Sequence, residues 1–193
     1  ATVTINDNES AAVSFQSATS SVPESSTPHT VNALLTITSV GSGTATLSTP
    51  LTVVITQTPG SASTPADYTL STPSVTFAAA AQSAATMPVD IAIVDDAITE
   101  SNEDLALGFG TVTGTGSASG SHIVTITDND TPGITVTESS GTTAVAEGGN
   151  TDSYSVVLTS QPTADVGINI VFDPSQVTVN GDSDGALALS FTS

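Results

Sequence analysis

The chain has 193 residues, of which 37% are hydrophobic, 19 are Asp or Glu and none is Lys or Arg, giving a formal net charge of −19. That balance excludes the classes that need a cationic surface, nucleic-acid binding and docking on anionic membranes. The chain contains no Cys, which removes disulfides and thiolate chemistry, and no run of about 18 apolar residues to span a bilayer.

Thr, Ser, Val and Gly are abundant in the rest, as in all-β proteins. In chain order, β-branched runs punctuated by Gly, Pro, Ser and Asn predict strands over 2–6, 12–16, 30–38, 51–57, 68–70, 74–77, 88–94, 104–109 and 122–127. A second series is predicted over 133–137, 153–159, 166–172, 176–179 and 186–192. Such short strands with turn signals between them predict an antiparallel β-sandwich. The opening ATVTIND reads as a strand and not as a signal peptide.

Between the strands, FAAAAQSAATM (77–87) carries the helix preference of Ala but has no N-cap or amphipathic stripe and meets Pro88. It is expected to be a loop or turn, with at most one helical turn. GTGSASG (114–120) lacks the Lys of a phosphate loop and is expected to be a flexible hairpin connection. NGDSDG (180–185) imitates the start of an EF-hand loop, but Phe191 stands where the bidentate carboxylate is needed, so a hairpin turn is expected. His29 and His122 lie in exposed-looking Ser/Thr/Pro contexts, and there is no Gly-x-Ser-x-Gly elbow. The chain is not expected to be an enzyme.

The sequence repeats itself. ATVTINDNE (1–9) matches HIVTITDND (122–130), Val22-Pro23-Glu24 matches Val145-Ala146-Glu147, and ALLTITS (33–39) matches YSVVLTS (154–160). An offset of this size, about 120 residues, suits tandem domains. Residues 1–9 are expected to be the terminal strand of a preceding domain or a donor strand, 10–130 a complete sandwich, and 131–193 an incomplete second one.

Acids cluster after the strand VDIAIV: Asp95, Asp96, Glu100, Glu103 and Asp104. The strand TIT ends likewise in Asp128-Asn129-Asp130. If both strands end at one pole, the carboxylates converge there, and no Lys or Arg is available to compensate them. Protonation, open solvent or a metal ion remain. Calcium, which takes six to eight oxygen ligands, suits such a set better than magnesium or zinc. The bland alternative for 95–103 is a solvated acidic loop, and for 128–130 a turn-rich linker.

VPES (22–25), PADYTLSTPSVTF (65–77), IAIVDDAITESNEDLAL (91–107) and VTITDND (124–130) together resemble a Calx-beta domain, in family order across nearly all of 10–130. The resemblance implies a seven-stranded, immunoglobulin-like all-β sandwich with calcium ions at one pole. Its implied ligands are Glu24, Asp67, Asp95, Asp96, the Ile98 carbonyl, Glu100, Glu103, Asp128 and Asp130. Asn129 departs from the pattern where strong binders can have a third acid, which implies weaker affinity or one ion fewer. Asp104 begins the next strand and matches no ligand position. Residues 131–193 resemble a related bacterial surface-protein repeat, with Glu147 in the place of Glu24 and Asp165 in a loop.

The expected function is an extracellular, calcium-binding structural or adhesive module of a large bacterial surface protein, secreted or on the cell surface. The partners expected are neighbouring domains of the same chain or identical subunits, and cell-surface or matrix ligands, with no nucleic acid and no membrane insertion. The alternative is a self-assembling extracellular filament or sheath subunit joined by β-strand donation.

Overall fold

Seven strands, three of them divided between two sheets, build the first of two compact units in a computed structural model that describes residues 9–39 and 43–193. The strand expected over 2–6 lies outside the described residues. The first unit carries β1 (Ser10–Phe15), β2 (Thr19–Pro23), β3 (His29–Thr38), β4 (Leu51–Pro59) and β5 (Tyr68–Leu70). It continues with β6 (Ser74–Phe77), β7 (Thr86–Ile93), β8 (Glu103–Thr113), β9 (Ser117–Ala118) and β10 (His122–Thr127).

One sheet has the order β5-β7-β3-β1-β9 and the other β2-β10-β8-β4-β6. The consecutive segments β1 and β2, β5 and β6, and β9 and β10 each begin in the first sheet and end in the second. This switching accounts for ten segments where seven strands were expected. It also manages the sheet edges: β5, β9, β2 and β6 are all short, which leaves little unpaired backbone to recruit other chains.

Period-two alternation builds the core. In β3 the inward residues Val31, Ala33 and Leu35 are buried, and in β4 Leu51, Val53 and Ile55. Val124 and Ile126 complete the same layer from β10. Phe15 stacks on Phe109 with ring centroids 4.2 Å apart.

The second unit carries β11 (Ile134–Glu138), β12 (Tyr154–Leu158), β13 (Val166–Val171) and β14 (Ala186–Phe191), paired antiparallel as β11–β12 and β13–β14. None of its described residues is buried. Its β11–β12 register repeats that of β1–β3: Val136 faces Val156 as Val13 faces Leu35. Val13 and Leu35 are sealed from solvent, whereas Val136 is 57% exposed.

Several expectations change. The run 176–179 is not a strand, because Asp173 organises a turn there: its Oδ1 accepts the Ser175 amide and hydroxyl at 2.9 and 2.7 Å, and its carbonyl accepts the Gln176 and Val177 amides. GTGSASG contains β9, paired parallel to β1, so it is more than a connection. His122 is buried and His29 half-buried, against their exposed-looking contexts. Residues 78–85 form turns, with Ala80 and Ala84 at positive φ, and NGDSDG forms the expected tight turn, with positive φ at Asn180 and Gly181. No helix among the described residues is long and apolar enough to cross a membrane.

Candidate metal centre

β10 gathers acidic residues of its neighbouring strands at one end of the sandwich. On one side it runs parallel to β2, with Thr127 opposite Pro23, and the Glu24 amide donates to the Thr127 carbonyl at 3.1 Å. Glu24 and Asp128, the next residues on each strand, therefore emerge together. On its other side β10 runs antiparallel to β8, which places Glu103 opposite Ile126 at the same end. In the facing sheet, β5 and β7 pair Tyr68 with Ile93, and the Val94 amide donates to the Asp67 carbonyl at 2.9 Å. Asp67 and the loop after β7 so reach this end from the other side of the sandwich.

Two groups of carboxylates result. Glu24, Asp128 and Asp130 each offer an oxygen within 4.8 Å of the others, and so do Asp67, Glu100 and Glu103. Glu24 is the one acid whose side chain is buried among the described residues, at 6% exposure. Burying a carboxylate is costly unless it is compensated, and this chain has no Lys or Arg.

Local bonds orient the second group. The Asp67 Oδ2 accepts the Ser63 amide at 2.6 Å and its hydroxyl at 3.0 Å, while the Asp67 amide returns to the Ser63 carbonyl at 3.0 Å. The adjoining Tyr68 is in the core; burial first, and the Asp67 charge second, raise its phenol above the ordinary value of 10.0. Beside Glu103, the Asp104 carbonyl accepts the Gly60 and Ala62 amides at 3.1 Å. A Cβ on Gly60 would lie 2.5 Å from that oxygen, so this close approach requires glycine. Asp104 itself points along the sheet, its Oδ1 accepting Thr125 Oγ1 at 2.7 Å.

Asp95 and Asp96 belong to neither carboxylate group and are exposed in the loop after β7, where Ile98 is half-buried. Glu147 and Asp165 of the second unit are exposed. The grouping Asp67–Glu100–Glu103 could not be read from the sequence, because Asp67 comes from the opposite sheet.

The donor sets fit calcium. Calcium–oxygen distances of about 2.3–2.6 Å let one ion bridge oxygens up to about 4.6–5.2 Å apart, so three oxygens within 4.8 Å of one another can share one ion. Both sets are oxygen alone, without His or Cys, which favours a hard cation over zinc.

The Calx-beta domain model matches residues 6–130. Among solved structures, the apo form of the Calx CBD1 domain is similar at 18% identity and a TM-score of 0.51, covering 62% of this chain and 98% of that one. CBD12 from CALX1.2 is similar at 18% identity and 0.51, covering 62% of this chain and 46% of that one. The calcium binding domain CBD12 of CALX1.1 is similar at 15% identity and 0.50, over 82% of this chain and 57% of that one. No curated protein matches. With the sandwich, the acidic pole and the family model in agreement over the first unit, the chain belongs to the Calx-beta domain family, a family of calcium-binding modules.

Proposed function

We propose that this chain is an extracellular calcium-binding structural module of a large bacterial surface protein. The observation that carries the reading is the convergence of two three-carboxylate groups at one end of a sandwich with no cationic side chain but histidine. Glu24, Asp128 and Asp130 would hold one ion and Asp67, Glu100 and Glu103 another, with Asp95, Asp96 and the Ile98 carbonyl available from the connecting loop. Bound calcium offsets the mutual repulsion of these acids, orders residues 94–102 and stiffens 128–131, the segment leaving the first unit.

Extracellular calcium modules bind at about 10⁻⁴–10⁻³ M. At about 1 mM calcium that stabilises the folded state by about 0.4–1.4 kcal/mol per site through mass action. The test is thermal unfolding at low ionic strength in EDTA and in calcium. The reading expects the melting temperature to rise by a few degrees in calcium; identical melting in both refutes it.

One observation favours strand donation as a second reading. The second unit has no buried residue and exposes Ile134, Val136, Val157 and Val171, as an incomplete sandwich awaiting further strands would. Under that reading identical subunits complete one another into a filament. Electron microscopy of the mature material separates the two readings: filaments support donation and discrete particles exclude it.

A further inference from the structure

The two histidines are the only side chains of this protein whose ordinary pKa lies in the physiological range, and both meet at one serine. Ser20 Oγ lies 2.8 Å from His29 Nε2 and 2.7 Å from His122 Nε2. Ser20 and His122 stand on β2 and β10 of one sheet, and His29 stands on β3 of the other. We propose that His29, Ser20 and His122 form an acid-released clasp between the two sheets of the first unit, closed at neutral pH and weakened by protonation.

Hydrogen-bond polarity fixes the neutral form. His122 Nδ1 lies 2.8 Å from the Ser17 carbonyl, which only accepts, so Nδ1 carries the proton and Nε2 presents its lone pair. The Ser20 hydroxyl donates to that lone pair. Having used its hydrogen, Ser20 Oγ accepts from His29 Nε2–H. The chain thus runs from His29 through Ser20 and His122 to Ser17, each donor matched to one acceptor.

Protonation disturbs this order. A proton on His122 Nε2 turns an acceptor into a donor, so Ser20 Oγ faces two N–H groups and its own hydrogen loses its acceptor. A proton on His29 places a cation in a half-buried site beside the second imidazole. Few charges are present to stabilise it. β2 offers Ser20, β10 offers His122, and β7 offers Asp90, whose Oδ1 already accepts Thr30 Oγ1 at 2.6 Å. Glu24 lies in the loop that leads into β3. Around His122, β8 presents Leu107 and the Phe15 ring packs 5.8 Å away, neither of them charged.

Burial first, and His122 second, hold His29 below its ordinary 6.5. The unfolded chain therefore takes up this proton at higher pH than the folded one. Between those values the unfolded state binds more protons, so the stability is full above about 6.5 and is lost as pH falls through the folded value.

The test uses the full chain in EDTA, so that calcium uptake does not contribute. Thermal unfolding is compared at about pH 7.5 and about pH 5.5 for the native protein and for His29→Gln, whose amide can still donate to Ser20 but does not titrate. The native melting temperature falls by several degrees on acidification, and His29→Gln loses at least half of that fall. Nuclear magnetic resonance of the native rings shows His29 titrating below 6.5 and His122 in the Nδ1–H form at neutral pH. An equal fall in His29→Gln overturns the clasp, as does a His29 that titrates at or above 6.5. If the variant does not fold, the ring titration decides alone.

Discussion

Glu24 and Asp128 leave parallel neighbouring strands side by side, joined through the 3.1 Å bond from the Glu24 amide to the Thr127 carbonyl, and they bring carboxylate oxygens within 4.8 Å of each other. When both are ionised, two like charges held this close by the ladder raise the energy of the metal-free fold. The fold fixes the repulsion, and a cation relieves it.

Replacing Glu24 by Gln therefore has opposite effects in the two states. In EDTA the variant melts higher than the native protein, because it relieves a repulsion on the order of 1 kcal/mol. In calcium it loses most of the native increment. Paired melting curves check this; a variant that melts lower in EDTA contradicts the repulsion.

Tyr68 provides an optical reporter. It is buried directly after Asp67, the chain has no Trp, and the other tyrosine, Tyr154, lies in the second unit. Calcium at Asp67 is expected to change tyrosine emission. Tyr68→Phe should abolish the change, and Tyr154→Phe should leave it; the reverse pattern would place the response in the second unit.

The repeated register predicts unequal roles for matched residues. Leu35→Ala opens a cavity in the sealed core and costs about 2–5 kcal/mol. Val136→Ala, at the exposed counterpart of Val13, changes stability by less than about 0.5 kcal/mol in the isolated chain. Urea denaturation of both variants measures the contrast. A large loss from Val136→Ala would mean that a partner covers β11.

Asp152 predicts a local acid response in the second unit. The Ser139 hydroxyl, then the Ala144 and Ser153 amides, hold its carboxyl below the ordinary 3.8. The contribution of this turn is present above about 3.8 and is lost as pH falls through the lower folded value. The Ala144 amide shift should follow that titration with a midpoint below 3.8, and Asp152→Ala should abolish it. A midpoint at or above 3.8 contradicts the bonding.

Much of this fold is legible where a strand's own residues alternate, as in HTVNALLTIT of β3. β2 is not legible, because TSSVP has one large apolar residue and is a strand only through its pairing with β10. QVTV at 176–179 misleads for the opposite reason: its β-branched pattern yields to the Asp173 turn. At the site, acids at strand ends are readable, since strands must end where the chain turns. Which acids meet is not readable. Asp67 joins Glu103 across the sandwich, and Asp95 and Asp96 stay outside both groups, despite standing side by side in the sequence. The histidine pair is hidden because the sheet switch between β1 and β2 brings Ser20 to both rings.

Calorimetric titration of the full chain with calcium at low ionic strength measures ion uptake at the acidic pole itself. Saturable binding is expected at about 10⁻⁴–10⁻³ M, weakened tenfold or more by Glu24→Gln with Asp128→Asn and by Asp67→Asn with Glu103→Gln. No saturable uptake by the native chain, or unchanged isotherms in both double variants, would contradict calcium binding at this pole.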